Sequence, residues 1–275
     1  MKFLLLAAIG ALSFSNSIGQ SDTSGVIDYN ELITIEISTE GMDSAQAAMM
    51  AQFMPKEQKF YKQLFFDQQQ SLFTQNDSIT KAENEARMKK MRMDGGGSGG
   101  PMMMINMEGG QGELHIDLSN NISTEYQEFM GRDFLIEKKN ETPKWKITGK
   151  QKSILNYMCI ESTATIDSSL VTAWFTPQIK NSIGPNGLKG LPGAILEANM
   201  GKSNVRYTAT KVTLKPLDKK SIERPTTGKK VTREEFEKIV LDKQKEMEEQ
   251  YGKSSGHHIT IKTKWWKKFL SLLLL

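Results

Sequence analysis

The sequence predicts a mainly β fold of the α+β class: a curved antiparallel β-sheet or half-barrel meander with inserted helices and a charged C-terminal helix. Three observations support this prediction. Apolar, β-branched segments recur at spacings of roughly 8–15 residues, as they do in antiparallel sheets. Turn-forming residues separate these segments, for example at 140–143 and 148–150. Strands do not alternate with core helices, which disfavours a parallel α/β sheet.

The N-terminal half is predicted to hold two strands with a helix between them, followed by a second helix. Ser24–Ser38 alternates apolar and polar residues, and Phe60–Phe73 has the aromatic content of a strand or hairpin. Asp43–Met54 has helical periodicity and is followed by a proline. Asp77–Met93 predicts a charged helix that runs into the glycine-rich segment 94–112, which we expect to be a flexible loop.

The rest of the chain predicts a meander of strands and one more helix. The strands are expected at Glu113–Asp117, Ser123–Phe129, Arg132–Lys138, Lys144–Thr148, Lys152–Thr165, Leu170–Phe175, Ala194–Met200 and Asn204–Leu214. Thr232–Tyr251 predicts a charged helix, because Thr232 and Glu235 form a capping-box pattern. Its apolar stripe is narrow, so we expect the helix to lie on the surface of the sheet or to project from it.

The N-terminus has the composition of a secretory signal peptide. The apolar run from Phe3 to Phe14 follows a lysine and is too short to cross a bilayer. Small residues at Ser17 and Gly19 suit signal peptidase, which would leave Gln20 as the new N-terminus. A buried N-terminal helix is the alternative. We therefore expect an exported protein that is periplasmic, extracellular or associated with the outer membrane.

These elements divide the chain into four parts. A signal peptide covers residues 1–19, and a β-rich domain covers residues 20–230. A charged helix at 231–252 and a tail at 253–275 follow. The tail carries tryptophans and lysines before its terminal leucines, a composition that suits peripheral membrane contact as one of its interpretations. A strand that completes the sheet, or a poorly ordered tail, is the alternative.

Composition and charge exclude several classes of protein. The chain is 38% hydrophobic and 25% charged, which is typical of a globular protein and excludes disorder of the whole chain. The net charge of +4 is spread over mixed Lys/Glu stretches without a basic face, so we expect no nucleic-acid partner. The single cysteine, Cys159, cannot form an internal disulfide. We expect it to be a buried small apolar side chain, with a reactive or intermolecular thiol as the alternative.

One block of the sequence is specific enough to indicate a family. Trp174–Ile179, Gly184-Pro185 and Gly190–Glu197 resemble the signature of the GLPGLI family, with Ala194 where the family name has a leucine. Three upstream segments, Phe134–Ile136, Lys144–Ile147 and Ile154–Cys159, resemble the strands that precede this signature. The resemblance covers the chain from the first strand to Leu214. It implies an exported, mostly β protein of the cell envelope or exterior, and it implies no particular molecular function.

The same block contains the predicted binding site. Two breaks rich in glycine and proline fix the geometry of a loop. In the functional interpretation, this loop and the aromatic strand before it form one wall of a groove for a hydrophobic ligand or an extended peptide. The predicted ligand-binding residues are Trp174, Phe175, Gly184, Pro185, Gly190, Leu191, Pro192 and Gly193. The alternative is a rigid turn that holds one edge of the sheet.

Known catalytic and cofactor motifs do not occur in the sequence. It contains no G-x-S-x-G elbow, H-E-x-x-H motif, P-loop or C-x-x-C pair. The glycine run at 95–100 formally matches G-x-G-x-x-G. However, it follows a helix instead of a strand and precedes no helix, which disfavours dinucleotide binding. We expect no cofactor.

Methionines crowd around this glycine run. Thioethers are soft ligands that suit Cu(I), so a methionine-rich loop is a candidate copper site. The candidate ligands are Met91, Met93, Met102, Met103, Met104 and Met107. The alternative is that these methionines only form helix and fill gaps in the packing.

The sequence therefore predicts an exported cell-envelope protein whose molecular function no motif specifies. Non-catalytic binding or scaffolding of a hydrophobic ligand, a peptide or a protein partner is the favoured interpretation. A hydrolase with an unrecognised site and a methionine-rich copper-handling protein are the alternatives.

Overall fold

The computed structural model describes residues 23–34, 44, 56–93, 112–201 and 204–252. Within these ranges the chain forms twelve strands and two α-helices. The strands are β1 (Gly25–Thr34), β2 (Glu57–Phe66), β3 (Gln70–Gln75), β4 (Glu113–Asp117), β5 (Ile122–Phe129), β6 (Arg132–Lys139), β7 (Lys146–Ile154), β8 (Tyr157–Ile166), β9 (Ser169–Thr176), β10 (Ala194–Met200), β11 (Val205–Leu214) and β12 (Lys229–Val231). The helices are α1 (Asp77–Met93) and α2 (Arg233–Gly252), and 3-10 turns lie at Pro185–Gly187 and Lys219–Ile222.

All twelve strands belong to one open sheet in the order β12-β6-β5-β4-β3-β2-β1-β11-β10-β9-β8-β7. Two antiparallel meanders, β1 to β6 and β7 to β11, are joined where β11 pairs with β1. This pairing brings Gly25 opposite Leu214. The predicted mainly β meander is confirmed. One pair departs from the antiparallel prediction, because the short strand β12 runs parallel to β6 and makes the sheet mixed.

The sheet is strongly curved, because a short connection joins β7, at one end of the strand order, to β6, the second strand from the other end. β6 and β7 lie ten positions apart in the strand order, which would separate them by about 48 Å in a flat sheet. Residues 140–145 connect the end of β6 to the start of β7, and a connection of this length spans at most about 25 Å. The sheet must therefore curl until its two ends approach each other, although they do not pair.

The main hydrophobic core lies inside this curve. The rings of Phe73 on β3 and Tyr207 on β11 meet edge to face at 5.9 Å, although β2 and β1 lie between their strands. Tyr29 packs against Phe73, and its hydroxyl donates a 2.6 Å hydrogen bond to the carbonyl oxygen of Ile195. The buried residues that share this core include Ile27, Leu64, Phe66, Cys159, Val171, Ala173, Phe175, Ile183, Leu191, Ile195 and Ala198.

A second, smaller core fixes helix α2 against β6. Phe236 and Val240 on the helix are buried against Phe134, Ile136 and Val231. The predicted capping box is present at the start of the helix. The backbone N–H of residue 235 donates to Thr232 Oγ1 at 3.1 Å, and the N–H of residue 232 donates to the Glu235 carboxylate at 2.9 Å. The helix therefore lies on the sheet, which is one of the two arrangements expected from its narrow apolar stripe.

The segment between β11 and β12 crosses the outer, convex side of the first meander. It contains the 3-10 turn Lys219–Ile222, whose Ile222 is buried and which contacts β2 and β3. Arg224 then forms an ion pair with Glu137 on β6. Burial, together with the nearby Arg224 charge, lowers the pKa of His115 on β4. This part of the convex side is therefore covered by the chain itself.

Two strand predictions around residue 150 are wrong in their boundaries. The predicted turn at 148–150 lies within β7, where the register shifts between Ile147 and Gln151 and forms an irregularity in the edge strand. The predicted single strand Lys152–Thr165 is split by a turn, because Leu155 and Asn156 both have positive φ values of 51° and 66°. The hairpin β7–β8 forms around this turn.

Several predictions fall on other parts of the chain. The signal peptide, the C-terminal tail and the glycine-rich loop apart from Gly112 lie outside the described residues, and so does the helix Asp43–Met54 apart from Ser44. The predicted helix Asp77–Met93 is confirmed as α1, and the Phe60–Phe73 hairpin is confirmed as β2 and β3. In the part of the chain that the structure describes, no helix is both long enough and apolar enough to span a bilayer.

Candidate functional site

The signature block forms a loop that fills the concave side of the sheet. The chain leaves β9 at Thr176 and enters β10 at Ala194. Between these points, the 3-10 turn Pro185–Gly187 contacts β3, β4 and β10. Because β4 and β10 lie five positions apart in the strand order, a segment that touches both must lie inside the curve. We call residues 177–193 the inner loop.

Hydrogen bonds tie the inner loop to several other parts of the chain. The N–H of Ile195 donates to the carbonyl oxygen of Ile183 at 2.8 Å, which anchors the loop to β10. The amide of Asn181 donates to the backbone carbonyls of residues 67 and 23 at 2.8 and 3.0 Å. The indole N–H of Trp145 donates to the carbonyl oxygen of Lys189 at 2.7 Å. The loop therefore links the first strand, the β2–β3 turn and the connection between the two meanders.

Close packing explains two glycines of the signature. A Cβ atom at Gly193 would lie 2.0 Å from the carbonyl oxygen of Thr176. A Cβ atom at Gly184 would lie 2.9 Å from the side chain of Ile195 and from the carbonyl oxygen of Leu188. No side chain fits at such distances, so the loop can reach this position only with glycine at both sites.

One charged side chain of the inner loop is buried. Lys189 is 7% exposed, and its ammonium group donates to the side-chain oxygen of Asn121 in the β4–β5 turn. Burial lowers the pKa of Lys189. Its only hydrogen-bond acceptor among the described residues is a neutral amide, so Lys189 ties the loop to β4–β5 at a cost in desolvation.

The structure does not bring the predicted binding residues onto one surface. Phe175, Gly184, Pro185, Leu191 and Gly193 are buried in the core, whereas Gly190 and Pro192 are exposed. Trp174 and Phe175 are consecutive strand residues, so their side chains point to opposite faces of the sheet. Trp174 is half-buried on the convex face. Ligand binding at these residues stays a prediction; the alternative expected a rigid turn at one edge of the sheet, whereas this loop contacts the inner strands β3, β4 and β10.

Trp174 instead belongs to a polar surface on the convex side. Cross-strand partners share one face of a sheet, and the register aligns two rows of side chains across β8, β9, β10, β11, β1 and β2. The first row is Glu161, Trp174, Glu197, Thr208, Asn30 and Tyr61. The second row is Thr163, Thr172, Asn199, Arg206, Leu32 and Lys59. We call these two rows the polar face; all of their residues except Glu161 are half-buried or exposed.

An ammonium group lies over an aromatic ring at each end of the polar face. Lys152 Nζ lies 4.2 Å from the ring centroid of Trp174 and 2.8 Å from the Glu197 carboxylate. Lys59 Nζ lies 4.8 Å from the ring centroid of Tyr61. Such contacts hold flexible lysines in defined positions.

The carboxylate of Glu161 is held in its ionised form. Thr148 Oγ1 donates to it at 2.8 Å, and Lys150 Nζ lies 3.1 Å away. The hydrogen bond from Thr148, followed by that from Lys150, lowers the pKa of Glu161. A general acid needs the opposite shift, so this carboxylate does not have the properties of a hydrolytic acid.

No candidate metal centre emerges from the described residues. Among them, no group of three or more His, Cys, Asp or Glu side chains could hold a metal ion. Met91 and Met93 lie in the last turn of α1, and Met102, Met103, Met104 and Met107 lie outside the described residues. Copper binding by these methionines stays a prediction.

Most residues of the polar face were not predicted from the sequence. Glu197 and Arg206, like the neighbouring Lys152, lie in strands that were identified only by their apolar positions. The alternation in β9 could have placed Trp174 and Phe175 on opposite faces. Which residues of other strands lie beside Trp174 depends on the register of pairing, which has no local signal.

Comparison with solved structures supports the fold. Two structures of PNGF-II are similar to the chain. The C2 crystal form is 14% identical, with a TM-score of 0.50 and coverage of 79% of this chain and 32% of PNGF-II. The P21 form is 15% identical, with a TM-score of 0.47 and coverage of 76% and 31%. The chain therefore spans about a third of the length of PNGF-II, and the likeness to the C2 form concerns the β-rich fold alone.

Comparison with protein families points to the signature block. Residues 162–197 match the model of Porph_ging, a family of proteins of unknown function. This range includes β9, the inner loop and the start of β10. The chain is thus similar to a family of unknown function over this short region. A search of curated proteins finds no match.

Proposed function

We propose that the chain is an exported cell-envelope protein of the GLPGLI type that binds a partner non-catalytically through the polar face. One observation carries this proposal: the aromatic side chain of the signature that is not buried, Trp174, lies on an outward surface with ordered polar neighbours. The inner loop supports that surface from behind, because it fills the concave side. In this proposal the signature stabilises the scaffold, and the convex strands recognise the partner.

Binding accounts for the polar face better than catalysis does. A hydrolase would need an acid with a raised pKa beside a base. The pKa of Glu161, the carboxylate beside Trp174, is lowered instead. The hydrophobic ligand of the groove hypothesis is also disfavoured at this surface, since both rows are dominated by polar and charged side chains. An extended polar partner, or a protein scaffold partner, suits it better.

Export and envelope localisation are part of the same proposal. They rest on the N-terminal apolar run and on the resemblance of the signature block to exported proteins. Peripheral membrane contact through the tail at 253–275 is part of this proposal as well.

Site-specific photo-cross-linking tests the binding proposal. A photoreactive benzophenone side chain replaces Thr172 on the polar face, and a control variant carries it at the exposed Lys220 on the 3-10 turn between β11 and β12. In cells that export the chain, we expect a cross-linked species with the first variant that the control lacks. Identical adducts from both positions, or no adduct from either, would show that the polar face is not a binding surface.

A further inference from the structure

The carboxylates of the polar face are paired with lysines, but two of its cations have no carboxylate partner among the described residues. Its two carboxylates are already paired: Glu161 with Lys150, and Glu197 with Lys152. Arg206 and Lys59 are exposed, and neither forms an ion pair with a carboxylate of the described residues. The free charge on this surface is therefore positive, which favours an anionic partner.

The cations near this face are spaced at regular intervals across the sheet. Lys152 is held over Trp174 on β9, Arg206 lies on β11, and Lys59 is held over Tyr61 on β2. β9 and β11 are two positions apart in the sheet, as are β11 and β2. Each interval therefore measures about 10 Å between strands. A linear polymer that lies across the strands could meet Arg206 and Lys59, the cations unpaired among the described residues, at this spacing, with the Lys152–Glu197 ion pair one interval further on.

Neutral hydrogen-bonding groups fill the space between the cations. Thr172, Asn199, Thr208 and Asn30 contribute hydroxyl and amide groups that can donate and accept. Sugar hydroxyls both donate and accept hydrogen bonds, so they match these side chains. A polymer with repeated acidic groups would also form ion pairs with the cations. From this arrangement, and on the basis of the proposed binding function, we propose that the polar face binds an anionic polysaccharide, such as a chain that contains uronic acids.

An acidic peptide suits this surface less well. Extended peptides are usually recognised at an exposed sheet edge or in a groove with pockets for side chains. The sheet has two edge strands: β7 carries Lys146, Lys150 and Lys152 and a register irregularity, and β12 is three residues long with Lys229 and Lys230 exposed. Lysines and bulges are the features that protect sheet edges from pairing. The partner is therefore expected on the face of the sheet and not on its edge.

The test compares polygalacturonate with two control polymers, dextran and poly-L-glutamate, by affinity gel electrophoresis and calorimetry. We expect the mature protein to bind polygalacturonate, with little or no binding to dextran or poly-L-glutamate. The double variant Arg206→Gln/Lys59→Gln should bind polygalacturonate about tenfold more weakly. The matched control, Lys219→Gln/Lys220→Gln, removes two exposed lysines outside the polar face and should bind as the unmodified protein does. Circular dichroism confirms that each variant is folded.

Three results would overturn this inference: no binding of polygalacturonate, an equal loss in both double variants, or equal binding of poly-L-glutamate. The last two would indicate non-specific attraction between charges. If polygalacturonate fails while cross-linking at position 172 succeeds, only the ligand class is wrong and the binding face stands. If both experiments fail, the proposed function fails as well.

Discussion

Replacing Leu191 with alanine tests whether the inner loop is a structural part of the core. Leu191 is 2% exposed and packs in the main hydrophobic core. The substitution removes about three carbon groups, each contributing about 0.8 kcal/mol on burial, or roughly 2.4 kcal/mol together. The residual cavity adds to this loss, so we expect the free energy of unfolding to fall by about 3–4 kcal/mol.

Equilibrium urea denaturation of the mature chain, followed by far-UV circular dichroism, measures this loss. We expect a lower midpoint with an unchanged slope, because the surface exposed on unfolding hardly changes. Pro192→Ala is the matched control, since Pro192 is the exposed next residue of the same loop, and its effect should be within about 0.5 kcal/mol. A loss below about 1 kcal/mol for Leu191→Ala, or equal losses for both variants, would refute the packing argument. The loop would then be free to form a groove wall, as the sequence interpretation suggested.

Three further predictions concern other positions. Gly193→Ala should prevent stable folding, because its Cβ atom would lie 2.0 Å from a backbone oxygen. The control, Gly131→Ala, should lower the free energy of unfolding by only about 1–2 kcal/mol, because Gly131 has a positive φ but no atom close to its Cβ position. Thermal unfolding compares the two variants. Thr232→Ala should cost about 1 kcal/mol in urea denaturation, because it removes the N-cap of α2. Burial raises the pKa of Cys159 to about 11, so iodoacetamide at pH 8 should modify the unfolded protein but not the folded one, since about one thiol in a thousand is ionised.

The raised pKa of Cys159 also predicts how the free energy of unfolding depends on pH. The unfolded thiol loses its proton near its ordinary pKa of 9.0, and the folded thiol only near 11. The folded state therefore retains the proton longer, and the contribution of Cys159 to stability is complete below pH 9 and is lost as the pH rises through 11. Cys159→Ala should lack this component of alkaline destabilisation. Rapid alkylation of the folded protein at pH 8 would contradict both the burial and the raised pKa.

Two results would contradict the predictions for Gly193 and Thr232. If Gly193→Ala unfolds at the same temperature as Gly131→Ala, the close approach of the loop to β9 is not required for the fold. If Thr232→Ala leaves stability unchanged, the capping box contributes nothing beyond the packing of Phe236 and Val240 on β6.

The strands that the sequence located well are those with a local signal. Glu113–Asp117 and Ala194–Met200 match β4 and β10, because alternating apolar residues bounded by turn residues specify a strand over a few positions. The error in β7 and β8 has a physical reason. Gly149 has the φ value of 83° that suggests a turn, but pairing with β8 continues on both sides of it, so the backbone forms an irregularity within the strand.

In the candidate site, most of the contacts could not be predicted from the sequence. Trp174 was identified from the sequence because it belongs to a specific signature. Its neighbours Lys152 and Glu197 were missed because they approach it only through the register of β7, β8, β9 and β10. Leu191 looked equally suited to a groove or a core, since an apolar side chain in a loop gives no indication of which side of the sheet it will reach.

The sequence by itself determined the predominance of β-strands, the positions of most strands, the capped helix α2 and the signature block. These features depend on interactions between residues close in the chain: side-chain alternation, capping and turn chemistry. Only the tertiary structure decided that β1 pairs with β11, that the sheet curls, and that the inner loop fills its concave side. Those outcomes depend on contacts between residues as distant as Gly25 and Leu214, and on burial that becomes possible only when the two meanders meet. For the same reason, the polar face exists in the folded sheet and has no counterpart in any single segment of the chain.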